Sequence, residues 1–301
     1  MLIKSKGEKA FDIFNIFLMI LLTVMFVYPA ILIVCASFTS ANMLTKYGYS
    51  VIIREFSLSS YKYIFTAQDL FLRAMGNSLF MTALGTFFLV ITTSLYAYAV
   101  SRKKLVFKKF FVMVLVIPML FAGRTIPYYL VINGLGLMNS QWAIILPFSV
   151  NAWYIVLAKN FFGNLPEALV ESAQLEGANN VIILFKIVLP LGFPIMATII
   201  LYSAVAIWND WFQANLYITQ DYLKPMQNVL LAIVNEAKFA EQMSSAGMGV
   251  TIDGNALKGK QTNVRSITMA TMFVTIIPII IVYPFLQRFF INGVLLGSVK
   301  E

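Results

Sequence analysis

At 301 residues, with 60% hydrophobic and 12% charged residues and a mean hydropathy of +0.81, the chain is too apolar for a soluble domain, where roughly 45–50% of residues are apolar and about 25% charged. Its net charge of +9 does not point to nucleic acid, because Lys and Arg stand between apolar runs and do not cluster on one polar surface. They orient membrane spans instead. The absence of histidine and a single cysteine, Cys35, exclude a disulfide framework and leave zinc chemistry and histidine-based catalysis without support.

In chain order, Lys4, Lys6 and Lys9 precede an uncharged run over 13–37, which predicts a first span that starts in the cytoplasm. Cys35 ends a Leu-Ile-Val-Cys stretch with the outline of a lipoprotein processing site. Val34 stands where such sites want a small residue, and the apolar run is long for a signal segment, so a membrane-embedded thiol is the reading. Residues 38–76 carry Lys46, Arg54, Glu55 and Asp69, a turn-prone Ser57–Ser60 and the aromatics Tyr61, Tyr63 and Phe65. They read as an external loop against the membrane surface.

A second span is expected over 77–100, ending at Arg102, Lys103, Lys104, Lys108 and Lys109. So many cations in one short loop place that loop in the cytoplasm. The third span, 110–130, contains Pro118 and Pro127, which bend helices, and Gly134-Leu135-Gly136 forms the external turn. A fourth span over 142–158 returns to Lys159. A cytoplasmic segment, 159–190, follows, then a fifth span over 191–208, an external loop over 213–265 and a sixth span over 267–285. Each span has roughly the 20 apolar residues needed to cross a bilayer core. The chain is therefore expected to be one all-α, polytopic membrane domain over 1–301, with six spans and both termini cytoplasmic.

The segment between the fourth and fifth spans holds more than a turn requires. Asn164 and Glu167 have capping-box spacing, and Pro166 suits a first turn, so a short helix is predicted over 165–175. Gly177 is placed for a left-handed reversal, and Asn179 or Asn180 can cap a second, apolar helix from Val181 to Val188, broken by Pro190.

In this segment Glu171-Ser172-Ala173, Gly177 after three intervening residues, and Ile187-Val188-Leu189-Pro190 after nine more resemble the signature of bacterial ABC importer permeases, in which E-A-A, a glycine and I-x-L-P recur at these intervals. Ser172 replaces an alanine, one small residue for another. The resemblance implies a type I importer permease whose first short helix is a coupling helix fitting a groove on an ATPase. Glu167, Glu171, Ser172, Ala173, Leu175, Gly177, Ala178, Asn179 and Pro190 are then the coupling residues. Glu171 would offer a carboxylate, and Ser172, Ala173 and Ala178 would allow close approach. The plain alternative is an interfacial hairpin with no partner, since glutamates favour helix starts in any case.

Outside this segment, Asn77-Ser78, Gly134-Leu135-Gly136-Leu137, Trp208-Asn209-Asp210-Trp211-Phe212, Val282-Tyr283-Pro284-Phe285-Leu286-Gln287, Gly293 and Gly297-Ser298-Val299-Lys300 look like the carbohydrate, maltose-type permeases, the oligosaccharide and polysaccharide branch. That resemblance implies a bacterial plasma-membrane complex with a second homologous permease, two ATPase subunits and an extracytoplasmic sugar-binding protein. ATP and Mg would sit on the ATPase subunits, because this chain has no G-x-x-x-x-G-K-[ST] loop. No cofactor, metal or catalytic residue is expected in this chain.

Candidates for the sugar path are Arg124, Tyr128, Asn151, Trp153 and Tyr154, with Asn209 and Asp210 near the external end. A cation in a span is costly and faces a cavity or partner, whereas Tyr and Trp also serve as interfacial anchors and Arg124 can snorkel. A secondary transporter would show intramembrane acids, and none falls in the assigned spans. A membrane enzyme would need a nucleophile, base or metal set. A permease for a non-sugar solute differs only in its binding protein.

Overall fold

A computed structural model describes residues 5–67, 69–120, 125–245 and 264–298. Among them there are helices and one isolated bridge, Thr39 to Phe56, and no strand. The helices are α1 Lys6–Ser37, α2 Ala41–Tyr47, α3 Ser59–Ala67, α4 Asp69–Ser101, α5 Lys108–Leu120, α6 Thr125–Gly134, α7 Trp142–Phe148, α8 Ala152–Gly163, α9 Glu167–Leu175, α10 Asn180–Ile183, α11 Leu189–Leu191, α12 Phe193–Trp208, α13 Phe212–Tyr217, α14 Met226–Ser245 and α15 Val264–Ser298. A π-helical turn, Leu184–Val188, joins α10 to α11, and a single 3-10 turn covers Asp221–Leu223. Four stretches are long and apolar enough to cross a bilayer: Gly7–Ser37, Leu70–Ser101, Trp142–Gly163 and Val264–Pro284. The count reaches six if the bent pairs α5 with α6 and α10–α11 with α12 each form one span.

Two compact units divide the chain. The first takes residues 1–69 and 230–276. Ser5 starts α1 with a capping box, its hydroxyl accepting from Glu8 N and its own N–H donating to the Glu8 carboxylate, so two orphan amides of the first turn are satisfied reciprocally. From Ile13 to Tyr28 nearly every apolar side chain of α1 is exposed to some degree, far more apolar surface than a protein leaves to water. In the same unit Phe38 stacks on Phe56 at 5.6 Å and Tyr61 at 5.1 Å and meets Phe273 edge-on at 6.1 Å. Ser60 hydrogen-bonds Ser266, and Tyr61 Oη donates to Ser37 Oγ.

The second unit, residues 70–229 and 277–301, holds two apolar cores. One gathers Leu89, Tyr98, Ile155, Phe162, Val170, Ala173, Ile183 and Met196 around α9 and α10. The other gathers Met81, Ile132, Ile144, Ile145, Ile207 and Tyr217 at the opposite ends of α4 and α12. At this second core Asn77 receives Gln141 Nε2 at 2.7 Å and donates to the carbonyls of Tyr222 and Lys224, while Ser78 Oγ accepts from Met226 N at 2.7 Å. Asn139, with φ 58°, accepts from Thr219 N and Oγ1. These side chains satisfy loop amides and carbonyls that have no ladder of their own.

Several boundaries differ from the sequence reading. The helix at the second span starts before 77: α4 begins at Asp69, with Phe71 fully buried, since Arg73 interrupts the apolar run without interrupting the helix. The helix at the fourth span continues to Gly163, past Lys159. Segments 38–76 and 213–265 contain α2, α3, most of α13 and all of α14, and residues 246–263 lie outside the described residues. Pro118 sits inside α5 and Pro127 in the first turn of α6, on either side of 121–124, which also lie outside them.

The largest correction concerns the entry to the fifth span. Pro190 does not break the chain. It is carried in α11 behind the π-helical turn, whose wider spacing relieves the crowding between a proline ring and the carbonyl four residues back. The 82° bend comes at Gly192 instead. A Cβ there would lie 2.6 Å from Phe162 Cε1 and 2.9 Å from Val188 O, so only glycine lets the two helices meet this closely.

Candidate functional site

The segment from Asn164 to Pro190 folds as a helical hairpin. Its first helix, α9, begins at Glu167 behind Pro166, which gives no side-chain cap. The expected Asn164–Glu167 capping box is not formed. Asn164 instead ends α8, its N–H donating to Phe161 O, and Glu167 turns outward to Lys103, Nζ to Oε2 at 2.5 Å. A lysine on a neighbouring loop competes for the Glu167 carboxylate better than a neutral amide, charge-assisted bonds being the stronger.

The reversal follows the sequence closely. Gly177 has φ +82°, Gly177 N donates to Gln174 O at 3.0 Å and Ala178 N to Ala173 O at 2.9 Å. This pair of bonds is a Schellman turn, and it satisfies two of the carbonyls left open at the end of α9. Of the two candidate caps, Asn179 is the one used: its Oδ1 accepts from Ile182 N at 2.9 Å. Asn180 Oδ1 instead accepts from Tyr98 Oη at 3.4 Å.

The faces of α9 are unequal. Val170 and Ala173 are buried in the chain's own core, so Ala173 packs inward and is not presented. Glu167, Glu171, Ser172 and Glu176 are exposed, and Leu175 is 90% exposed. An exposed leucine with Glu171 one turn before it and Glu176 directly after it offers a partner an apolar anchor beside hydrogen-bond acceptors. Ala178 is half-buried beside the core, and Pro190 lies beyond the hairpin in α11.

Three further residues brace this hairpin, a role that sequence alone does not assign to them. The Arg102 guanidinium lies 4.5 Å over the Tyr98 ring, Tyr98 reaches Asn180, and Lys103 holds Glu167. The hydrogen bond and charge of Lys103 lower the Glu167 carboxyl below its ordinary value, and those of Glu167 raise Lys103. The signal was present in the Arg102–Lys109 charge cluster, but it reads as topology until α9 is seen beside it.

The sugar-path candidates separate into two places. Asn151 caps α8, accepting from Trp153 N and Tyr154 N; Trp153 is exposed and Tyr154 packs against the α9 core. Elsewhere, Asp210 Oδ1 and Oδ2 accept from Gln213 N and Ala214 N at 3.4 and 3.3 Å. Burial raises the Asp210 carboxyl, and those two N–H donors oppose the rise. Burial, then the Asp210 charge and Tyr128, raise the Tyr217 hydroxyl, and the Tyr217 ring stacks on Tyr129 at 6.4 Å. Asn209 accepts from Gln227 Nε2 at 3.2 Å. Arg124 lies outside the described residues. Among the described residues no three acidic, Cys or His side chains are grouped to hold a metal ion.

No family model matches the chain, but individual relatives do along its whole length. It is 37% identical over 293 residues to the polygalacturonan/rhamnogalacturonan transport system permease protein YtcP of Bacillus subtilis strain 168, covering 97% of this chain and 99% of that one. It is 34% identical to Protein LplC of the same strain over 98% of this chain and 97% of that one. It is 28% identical to the arabinooligosaccharides transport system permease protein AraQ of Halalkalibacterium halodurans, over 91% of each chain. A solved bacterial ABC transporter involved in the import of the acidic polysaccharide alginate superposes with a TM-score of 0.85 at 27% identity, over 96% of this chain and 100% of that one. With full-length relatives of this identity and a fold shared from end to end, the chain belongs to the permease subunits of carbohydrate ABC importers, in their oligosaccharide and polysaccharide branch.

Proposed function

We propose that this chain carries an oligosaccharide or polysaccharide fragment across a bacterial plasma membrane, through six spans with both termini in the cytoplasm, and that α9 is the helix on which the ATPase pulls. The observation that carries the coupling assignment is the split of α9: Val170 and Ala173 anchor it to the core, while Glu171, Ser172 and Leu175 stand outside. Closure of an ATPase dimer would displace such a helix as a lever and rock the core attached to it between inward- and outward-open states. On this reading the coupling contacts are made by Glu171, Ser172 and Leu175. Glu167, Ala173, Gly177, Ala178, Asn179 and Pro190 shape the hairpin that presents them.

The same reading puts ATP and Mg on two separate ATPase subunits and pairs this chain with a second permease and an extracytoplasmic sugar-binding protein. A carbohydrate cargo is supported by the relatives named for galacturonan, rhamnogalacturonan and arabinooligosaccharide transport. The test is uptake of labelled oligosaccharide into vesicles holding the whole complex. Glu171→Lys and Leu175→Asp should leave membrane insertion intact and remove ATP-dependent uptake. Wild-type uptake by both variants sinks the coupling role of α9.

A further inference from the structure

The loop between α4 and α5 carries a feature that neither topology nor coupling uses. Val106 is 70% exposed and Phe107 78%, in a loop whose other residues are Arg102, Lys103, Lys104 and Leu105, with Lys108 and Lys109 following. Phe107 has φ +56°, a left-handed backbone that is a genuine outlier for a bulky side chain and that persists only when its surroundings impose it. They do: Lys108 Nζ donates to Arg102 O at 3.1 Å, and Phe110 N donates to Phe107 O at 2.9 Å. The loop is thus built to hold an aromatic ring outward at the cost of a strained backbone.

The cations are divided as well. Arg102 lies over Tyr98, Lys103 is bonded to Glu167, and Lys108 closes the loop, whereas Lys104 and Lys109 are exposed next to Val106 and Phe107. Along α5 itself, which begins at Lys108, the apolar side chains stand exposed on nearly every side, Phe110, Phe111, Met113, Val114 and Ile117 among them. α5 belongs to one bent span pair, so the exposed apolar tip at 106–107 directly precedes a segment apolar enough to enter a bilayer, the position at which a headgroup zone falls. Cations flanking a short apolar tip are complementary to an anionic leaflet.

We propose that loop 102–109 is an anionic-lipid contact, in which Val106 and Phe107 enter the headgroup region of the cytoplasmic leaflet and Lys104 and Lys109 pair with lipid phosphates. This rests on the cytoplasmic placement of the loop proposed above. Because Lys103 of the same loop holds Glu167 at the start of α9, lipid contact and coupling-helix position are mechanically joined.

The test places a polarity-sensitive fluorophore on Val106→Cys in a Cys35→Ser background, with the chain in nanodiscs of phosphatidylcholine and increasing phosphatidylglycerol. Emission should shift to the blue as phosphatidylglycerol rises, before any ATPase is added. Lys104→Gln and Lys109→Gln should each weaken the preference for the anionic lipid about fivefold. Phe107→Gly suits the left-handed backbone, so it should keep the unfolding temperature at or above that of the parent while losing the blue shift. A shift that appears only on adding ATPase makes the loop a protein contact and overturns the proposal, as does no shift at any lipid composition. The probe reads insertion without transport, so loss of uptake in the α9 variants leaves this result standing, and the reverse.

Discussion

Two glycines that lie in helix-packing contacts differ in what an added methyl would meet, and the difference sets their tolerance. At Gly85 a Cβ would lie 2.7 Å from Ile207 Cδ1, the far end of a side chain that can rotate away. At Gly192 it would lie 2.9 Å from Val188 O as well as 2.6 Å from Phe162 Cε1, and a backbone carbonyl cannot rotate away. Gly192→Ala should therefore cost about 1–3 kcal/mol by overpacking and Gly85→Ala less, read as the fall in unfolding temperature of the solubilised chain. Adding Phe162→Ala should not rescue Gly192→Ala, because the Val188 clash remains; full rescue would show that the ring alone sets the bend. Gly177 is a third kind of position: a Cβ meets nothing within 4 Å, yet φ is +82°. Its restriction is backbone strain of roughly 1–2 kcal/mol, so Gly177→Asn, which tolerates left-handed geometry, should retain more uptake than Gly177→Val. Arg124, the one charge between Lys109 and Lys159, belongs to the selectivity question. Arg124→Ala is expected to impair uptake of acidic glycans more than neutral ones in the same vesicles, and equal losses would remove it from that role.

At the scale of the element, the loop before α5 and the hairpin of α9 and α10 act as a unit through Lys103–Glu167 and Tyr98–Asn180. Glu167 is held below its ordinary 4.5, so its contribution is present above about that pH and is lost as pH falls through the lowered value. Lys103 is held above 10.5, so its contribution is present below about that pH and is lost as pH rises through the raised value. The contact is therefore intact throughout the neutral range. Both groups are solvent-exposed, so what the pair supplies is position and little stability. Lys103→Glu should speed amide exchange over the first turn of α9 and lower uptake, and Lys103→Glu with Glu167→Lys should restore both. Failure of the double variant would mean that the lysine acts elsewhere. The hairpin itself was legible in sequence because its signals are local: a glycine for the reversal, an asparagine for the cap, apolar spacing for the buried face. The bracing was not, since it joins residues 64 and 82 positions apart. Nor was the inward orientation of Ala173, because a motif fixes spacing and says nothing of which small residue meets the core. Pro190 misled for a related reason: its usual effect as a breaker was absorbed by the π-helical turn, and the bend fell on a glycine whose neighbour, Phe162, comes from another helix.

For the whole molecule, the question that organises the rest is how many times the chain crosses. Four helices qualify singly, and two more crossings require that each bent pair be one span. Apolar exposure favours the bent pairs as spans: Phe110, Met113, Val114 and Ile117 of α5 and Ile126, Leu130 and Val131 of α6 stand open, and such surface in water would drive aggregation. Charge argues for a direction, since Lys103 of the 102–109 cation cluster before α5 holds Glu167 of α9, whereas the α6–α7 turn after α6 has no charged residue from Thr125 to Ala158. With each bent pair as one span, six crossings would put residues 102–109 and 164–180 on one side and Asn139 with Thr219 on the other, consistent with the contacts Lys103–Glu167 and Asn139–Thr219. Single cysteines in a Cys35→Ser background should report it. In intact cells an impermeant maleimide is expected to label Asn139→Cys and Tyr222→Cys and to leave Lys104→Cys and Gln174→Cys untouched until the membrane is opened. Labelling of Lys104→Cys and Gln174→Cys from outside would invert the topology, and with it the side from which an ATPase reaches α9. Labelling of Asn139→Cys only after opening would make α5 with α6 a re-entrant hairpin and reduce the crossings.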